Sequence, residues 1–277
     1  MEKQKHLIFK ILLTVGIIAT IGIVALAFLL YFEIRNRMIE MQSTTLIESL
    51  HYLPDAIEGE KERLRNLVDY LSSDAESTTA QFNDNASLRL FLEDFSYLAG
   101  VDNVAVFDID GNFMLSSKPA NFNNDNVQTL LSQVRNGVIT TRMCTENETL
   151  SVLTAAPVNA GERGVFIILL QGIVDSPEFL RDTVGVPHTE VSIFLDDMRI
   201  GSTIGFSSNA DNHLNNPEIL DTVYNKDEVY IGHTTVDGID HLGAYMRIKE
   251  STLNENVMVA IAERFDYVRE TYVAIVS

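Results

Sequence analysis

The most chemically suggestive stretch of the chain is Phe107-Asp108-Ile109-Asp110-Gly111-Asn112. A strand ending in Asp-x-Asp-Gly can offer one carboxylate as a nucleophile and the other as its acid/base partner, which is phosphatase chemistry. The plainer reading is a β-hairpin turning at Asp110-Gly111. Two observations favour the hairpin. The chain continues beyond Gly111 as a strand-like run from Phe113 to Ser117, and 87 residues later the place of Asp108 is taken by Leu195. A calcium loop starting at Asp108 is also excluded, since its twelfth position is Pro119 and not a glutamate.

The other reactive residue types are scattered. Histidines stand at positions 6, 51, 188, 213, 233 and 241. Only the last two fall in neighbouring strands. With Asp237-Gly238 as the turn, Thr234 lies opposite His241 and His233 opposite Leu242, so the two imidazoles point to opposite faces and share no metal. Ordinary surface or half-buried histidines are expected. Cys144 is the one cysteine, read as a small apolar filler at the end of a strand. A lone cysteine excludes an internal disulfide and a cysteine-based zinc site. Nucleophile-elbow, dinucleotide and phosphate-loop motifs do not occur. No catalytic residue, metal site or cofactor is expected.

Charge narrows the partners. The 277 residues carry 20 Lys+Arg against 39 Asp+Glu, a formal net charge of −19. Nucleic acid is excluded as a partner, because its recognition needs clustered cations.

These residues are hung on an uneven chain. Residues 11–32 are 22 uncharged, mostly apolar residues. About 20 residues at ~1.5 Å rise cross a ~30 Å hydrocarbon core, so lipid is an expected partner. A cleaved signal peptide is the competing reading, but the apolar run continues past the small-residue site at Ala25-Leu26-Ala27, and an uncleaved anchor is preferred. Lys3, Lys5 and Lys10 precede the run, while Arg35 and Arg37 follow it, a slight bias placing the N-terminus in the cytoplasm. At the other end, Tyr272 to Ser277 is almost wholly apolar, and 266–277 reads as the start of a second membrane helix.

Between the ends, periodicity sets the elements. Ile34, Met38, Met41, Leu46, Ile47, Leu50, Leu64, Leu67, Val68 and Leu71 recur at helical spacing, giving a long amphipathic helix over 33–85 in which Pro54 either starts a new helix or kinks one. Ala86 to Ala99 is a shorter helix stopped by Gly100. From Asn103 the period becomes two. A hairpin (Asn103–Ile109, Asn112–Ser117), a helix (Val127–Arg135) and three strands (138–145, 150–158, 165–171) follow. The order then repeats: a hairpin around Asp197-Met198, a helix (Pro217–Asn225), and strands at 229–236, 239–248 and 257–263. Val104, Phe107 and Asp110 recur as Val191, Phe194 and Asp197. The fold class is therefore α+β, with two copies of one antiparallel module.

This order resembles the double Cache sensory domain of bacterial transmembrane receptors, a pair of PAS-like modules. The Val104–Ser117 hairpin, the Leu153-to-Val158 strand with Pro157, the strand Val165–Gly172, and Val191 to Phe194 with Arg199 to Thr203 carry the likeness. The resemblance implies 1–32 as cytoplasmic tip and anchor, 33–85 as signalling helix, 86–175 as a membrane-distal module, and 176–265 as a membrane-proximal one. It implies an extracytoplasmic sensor for an organic acid, amino acid or amine, acting as a homodimer and not as an enzyme. A methyl-accepting chemotaxis receptor is the first expectation. A histidine kinase or diguanylate cyclase, or a membrane-anchored binding protein or enzyme, are the alternatives. Pocket residues are nominated by chemistry alone: Arg142, Tyr97 and Phe95 in the first module, and Arg199, Tyr230, Tyr245 and Arg247 in the second.

Overall fold

The computed structural model describes residues 2–73, 84–184, 189–203, 212–236, 239–253 and 255–264, with side chains from residue 16 onward except that of Arg163. The expected helix over 74–82, the Asp237-Gly238 turn and the start of a membrane helix over 266–277 lie outside these residues. Two compact units divide the chain, residues 1–47 and 48–277.

The first unit is helix alone. From Ile17 to Ile34 its apolar side chains stand exposed, Ile18 at 64% and Leu29 at 66% among them. An apolar stretch of helix exposed in this way, among the described residues, is what a bilayer span requires. Among the described residues, the helix carrying this stretch is the one long and apolar enough to cross a membrane.

That helix, α1 (Glu2–Ser73), is continuous and contains Pro54. Of the two expected outcomes, a new helix starting at Pro54 is not found. Proline removes the N–H that would reach the carbonyl four residues earlier, but Leu50, Leu53 and Ile57 around it are all buried, and burial outweighs one lost hydrogen bond. Leu64, Val68 and Leu71 extend the buried stripe. Its lower part is thus used within the chain, while Ile34 and Met41 stay exposed.

Helix α2 (Asn85–Ala99) starts at Asp84, whose carboxylate accepts from the N–H groups of Ala86 and Ser87, and stops at Gly100 in the left-handed conformation. The first module then runs β1 (Asn103–Asp108), β2 (Phe113–Ser116), α3 (Asp125–Val134), β3 (Thr140–Glu146), β4 (Thr149–Asn159) and β5 (Val165–Ile173). After α4 (Pro177–Val184), the second runs β6 (Thr189–Leu195), β7 (Met198–Ser202), α5 (Pro217–Leu220, continued by a π turn to Asn225), β8 (Tyr230–Val236), β9 (Ile239–Ile248) and β10 (Val257–Arg264). The sheets have orders β2-β1-β5-β4-β3 and β7-β6-β10-β9-β8, the same antiparallel topology twice.

The copies agree in detail. In the first, the Ser117 hydroxyl accepts the Val104 N–H at 2.9 Å; in the second, the Thr203 hydroxyl accepts the Val191 N–H at 3.0 Å. The hairpin turns differ from expectation. Gly111 N–H bonds the Asp108 carbonyl and Gly111 sits at φ 84°, so the first is a three-residue loop with a glycine bulge. The second closes one residue early, at Asp196-Asp197: Leu195 pairs with Met198, Asp196 takes φ 53°, and a bulge beyond Ile193 restores the register. The β8–β9 register is the expected one, with Thr234 opposite His241 and His233 opposite Leu242. His241, however, is only 1% exposed. Helix α4 has no counterpart among the expected elements.

Candidate ligand site

One face of the first sheet carries its core. Ala105, Phe107, Leu153, Ala155, Ile167 and Leu169 pack under Val127, Leu130, Leu131 and Val134 of α3. Along the same strands the same face then turns polar. Asn103 stands two residues before Ala105, Gln171 two after Leu169, and Ser151 two before Leu153, so each shares the α3 side. Asn103 and Gln171 are direct cross-strand partners. There the sheet borders a cleft of about 340 Å³, a size suited to a small metabolite.

The walls of this cleft carry both signs of charge. Asp102, Glu146 and Lys118 line it, with the amides of Asn121 and Gln171 and the hydroxyl of Ser151. Internal bonds hold the polar floor in place. Asn103 Oδ1 accepts from the Ser117 hydroxyl (2.9 Å) and the Lys118 N–H (3.1 Å), and its Nδ2 donates to the Lys118 carbonyl. Gln171 Nε2 donates to Ser151 Oγ at 3.2 Å, and Asp102 accepts the Ile173 N–H at 2.6 Å. Fixed dipoles beside an ammonium and two carboxylates suit a small zwitterion.

None of the seven nominated residues lines this cleft. In the first module they are far apart. Tyr97 is 85% exposed, and Phe95 is half-buried against Phe91 at 6.0 Å on α2, which packs on β1 and β2. Arg142 lies at the other edge of the sheet, on β3, and its Nη2 donates to the Thr252 carbonyl of the second module at 3.4 Å. In the second module all four come to one face. Tyr230 pairs with Tyr245, and their rings meet edge-on at 6.0 Å. Arg199 pairs with Phe194 and lies over its ring at 5.4 Å, while Tyr245 is 6.4 Å from the same ring. Arg247 follows on the face of Tyr245 and donates to Asn256 Oδ1 at 2.9 Å. Ile219 and Val223 cover this cluster, and the Tyr245 hydroxyl is spent on Thr234 at 2.8 Å. Burial raises the Tyr245 phenol above its ordinary value.

A joint ties the modules to α1. Lys61 pairs with Glu250, in the β9–β10 loop, and with Glu58 at 3.0 Å. Burial works against the Lys61 ammonium, but these hydrogen bonds outweigh it and raise its pKa; burial likewise opposes the Glu250 carboxylate, and Lys61 outweighs it and lowers that pKa. The Thr252 hydroxyl accepts the Met143 N–H at 3.1 Å, and its one proton is shared between the Met143 carbonyl and Glu250 Oε1. Two clefts of about 440 and 560 Å³ flank this joint; Arg247 lines the first and Arg142 the second.

The candidate reactive groups are structural. Asp108 accepts from both the backbone N–H and side-chain amide of Asn112, at 2.8 and 2.7 Å, and the Asn112 amide above all holds its pKa below the ordinary carboxylate value. It closes the turn. Cys144 is buried in the α3 core, and burial pushes its thiol up to about 12, so it stays protonated and unreactive. Among the described residues no cluster of His, Cys, Asp and Glu could hold a metal.

Comparison with known proteins agrees with this architecture. The family model dCache_3, described as the double sensory domain of two-component sensor kinase, matches residues 40–251. No curated protein sequence matches the chain. Among solved structures, the extracellular domain of a protein designated histidine kinase vpHK1S-Z8 is 13% identical, with a TM-score of 0.56, over 86% of this chain and 96% of that one. A domain of a protein designated sensory box/GGDEF family, from Vibrio parahaemolyticus, is 13% identical with a TM-score of 0.52, over 84% and 99%. The ligand-binding domain of the Campylobacter jejuni chemoreceptor Tlp3, in complex with 4-methylisoleucine, is 14% identical with a TM-score of 0.50, over 83% and 94%. At these identities the structures share the fold. The family model covers more than half of the chain, and the doubled sheet order agrees with it: the chain belongs to the dCache_3 family of double sensory domains.

Proposed function

We propose that residues 33–270 are the extracytoplasmic small-molecule sensor of a bacterial transmembrane receptor, anchored by residues 1–32 with the N-terminus in the cytoplasm. The ligand sits in the first-module cleft, and its class is a small zwitterion such as an amino acid. The observation that carries this reading is the switch of the α3-covered face from apolar to polar at Asn103, Gln171 and Ser151, next to Lys118, Asp102 and Glu146. The amino-acid ligand of the Tlp3 domain supports the class.

The seven nominated residues take a different part in this reading. Arg199, Tyr230, Tyr245 and Arg247 form the core and rim of a membrane-proximal second module (176–265), where a ligand of Tyr245 or Arg247 would have to displace Thr234 or Asn256. Arg142 belongs to the joint that carries the signal from the membrane-distal module (86–175) to α1. Homodimer contacts fall to the exposed Ile34–Met41 part of α1, since Leu50 to Leu71 are covered within the chain.

Ligand binding acts by differential affinity: a hundredfold preference for one state biases the equilibrium by about 2.7 kcal/mol. The sensor-kinase description of the family favours a kinase output over the chemotaxis output expected from sequence. The test is a thermal-shift screen of the full chain in detergent micelles against amino acids, organic acids and amines. A raised melting temperature with an amino acid supports the reading. No shift with any class at about a hundred times a micromolar affinity, where about 2.7 kcal/mol of stabilisation is expected, contradicts it.

A further inference from the structure

The second module holds a buried titratable pair that the ligand cleft does not use. His241 is 1% exposed, and the Glu190 side chain 19%. His241 Nδ1 lies 2.8 Å from the Ile239 carbonyl, which can only accept, so Nδ1 carries a proton. Nε2 faces Glu190 Oε1 at 3.3 Å. A neutral imidazole in this tautomer would turn a lone pair toward a carboxylate oxygen. The imidazolium instead sets a positive charge against Glu190, an ion pair at 3.3 Å in which Nε2 makes no aligned hydrogen bond. The other carboxylate oxygen of Glu190 is buried with no hydrogen-bond partner among the described residues.

The pair spans a strand. β10 lies between β6 and β9. Glu190 of β6 is opposite Ala262 of β10, and on the other side Gly243 of β9 is opposite the same Ala262. Alanine and glycine leave room for Glu190 and His241 to meet over β10. β10 is the last described strand, and residues 265–277 follow it in sequence. In the first module the place of Glu190, 87 residues earlier, is taken by Asn103, so only the second module has this device.

We infer that Glu190 and His241 form a proton-controlled clamp across β10, closed when His241 is protonated and released when it is neutral. The groups facing the imidazole set its balance. Glu190 approaches from β6. Arg264 of β10 is directly opposite and disfavours the cation; Glu263 beside it points to the other face. From β8 the opposite residue is the uncharged Thr234, with His233 turned away, and Asp240 is the neighbour on β9 itself. Burial lowers the His241 pKa, but the Glu190 carboxylate and the Ile239 carbonyl outweigh it and leave it above the ordinary value. A histidine raised in the folded state stabilises it below the unfolded pKa, and that contribution is lost as pH rises through the folded pKa.

The full chain in detergent micelles, without ligand, provides the test. Histidine imidazole NMR reads the titration, and amide hydrogen exchange reads β10. The clamp predicts a His241 midpoint above that of an ordinary histidine. As pH rises through that midpoint, β10 protection is predicted to fall by about tenfold for each pH unit separating it from the ordinary histidine value. Glu190→Gln is predicted to lower the midpoint and flatten the β10 response. His241→Gln is the second variant, predicted to give pH-independent β10 protection should Glu190→Gln fail to fold. A wild-type midpoint at or below the ordinary value, or a β10 response retained in His241→Gln, overturns the clamp.

Discussion

Phe107 and Phe194 hold the same place in the two sheets. Each is almost fully buried, each follows the register shift in the first strand of its module, and each pairs across to the returning strand of its hairpin. The cross-strand partner differs: Phe107 meets the ring of Phe113 edge-on at 5.8 Å, whereas Phe194 carries the Arg199 guanidinium at 5.4 Å. One buried ring at one bulge thus organises two modules of different chemistry. Phe107→Ala and Phe194→Ala are each expected to cost about 3–5 kcal/mol in urea unfolding, and Arg199→Met only about 0.5–1 kcal/mol.

The joint at Lys61 and Glu250 couples α1 to the second module. Removing one partner strands the other charge. Lys61→Met is expected to destabilise by about 3 kcal/mol, and the double change Lys61→Met with Glu250→Met by clearly less. A double-mutant cycle measures the difference. Additive single effects would contradict the coupling.

Asp175 joins the modules. Its Oδ2 accepts the Leu150 N–H at 2.9 Å, and its backbone abuts Gly201 of β7, where any Cβ would collide with it. Burial pushes its carboxyl up to about 6. The folded state therefore binds its proton more tightly than the unfolded one. This contribution to stability is present at low pH and lost as pH rises from the ordinary carboxylate value through about 6. Melting curves across that range are expected to show the slope in the wild type and its loss in Asp175→Asn.

Cys144 is expected to resist iodoacetamide in the native chain and to react after unfolding in urea, as its burial and raised pKa require. Native labelling at the rate of a free thiol would contradict the packing.

Much of this fold is legible in the sequence because its signals are local. Period-two runs give all ten strands among the described residues, and the β8–β9 register is the one expected, with His233 and His241 on opposite faces. The misreadings have physical causes. Asp196 tolerates the left-handed backbone, so the second hairpin turns one residue earlier than Asp197-Met198. The signal for α4 is present in Ser176-Pro177-Glu178, where Ser176 Oγ accepts the Phe179 N–H at 3.2 Å and proline takes the first helical position. The cleft is harder to find. Asn103 and Gln171 become neighbours only when β1 pairs with β5, and no local pattern carries that pairing. A polar residue breaking each apolar run, Asn103 before Val104 and Gln171 after Leu170, is the available clue.

The most direct measurement is calorimetric titration of the full chain with the amino acid that raises its melting temperature most, repeated on Lys118→Met, Asp102→Asn and Arg199→Met. The ligand's carboxylate and ammonium are expected to face Lys118 and Asp102, so those two variants should weaken binding by about tenfold or more, the loss of one charged hydrogen bond, while Arg199→Met leaves it within about twofold. Binding unchanged in the first two and lost in the third would contradict the account and put the ligand in the second module.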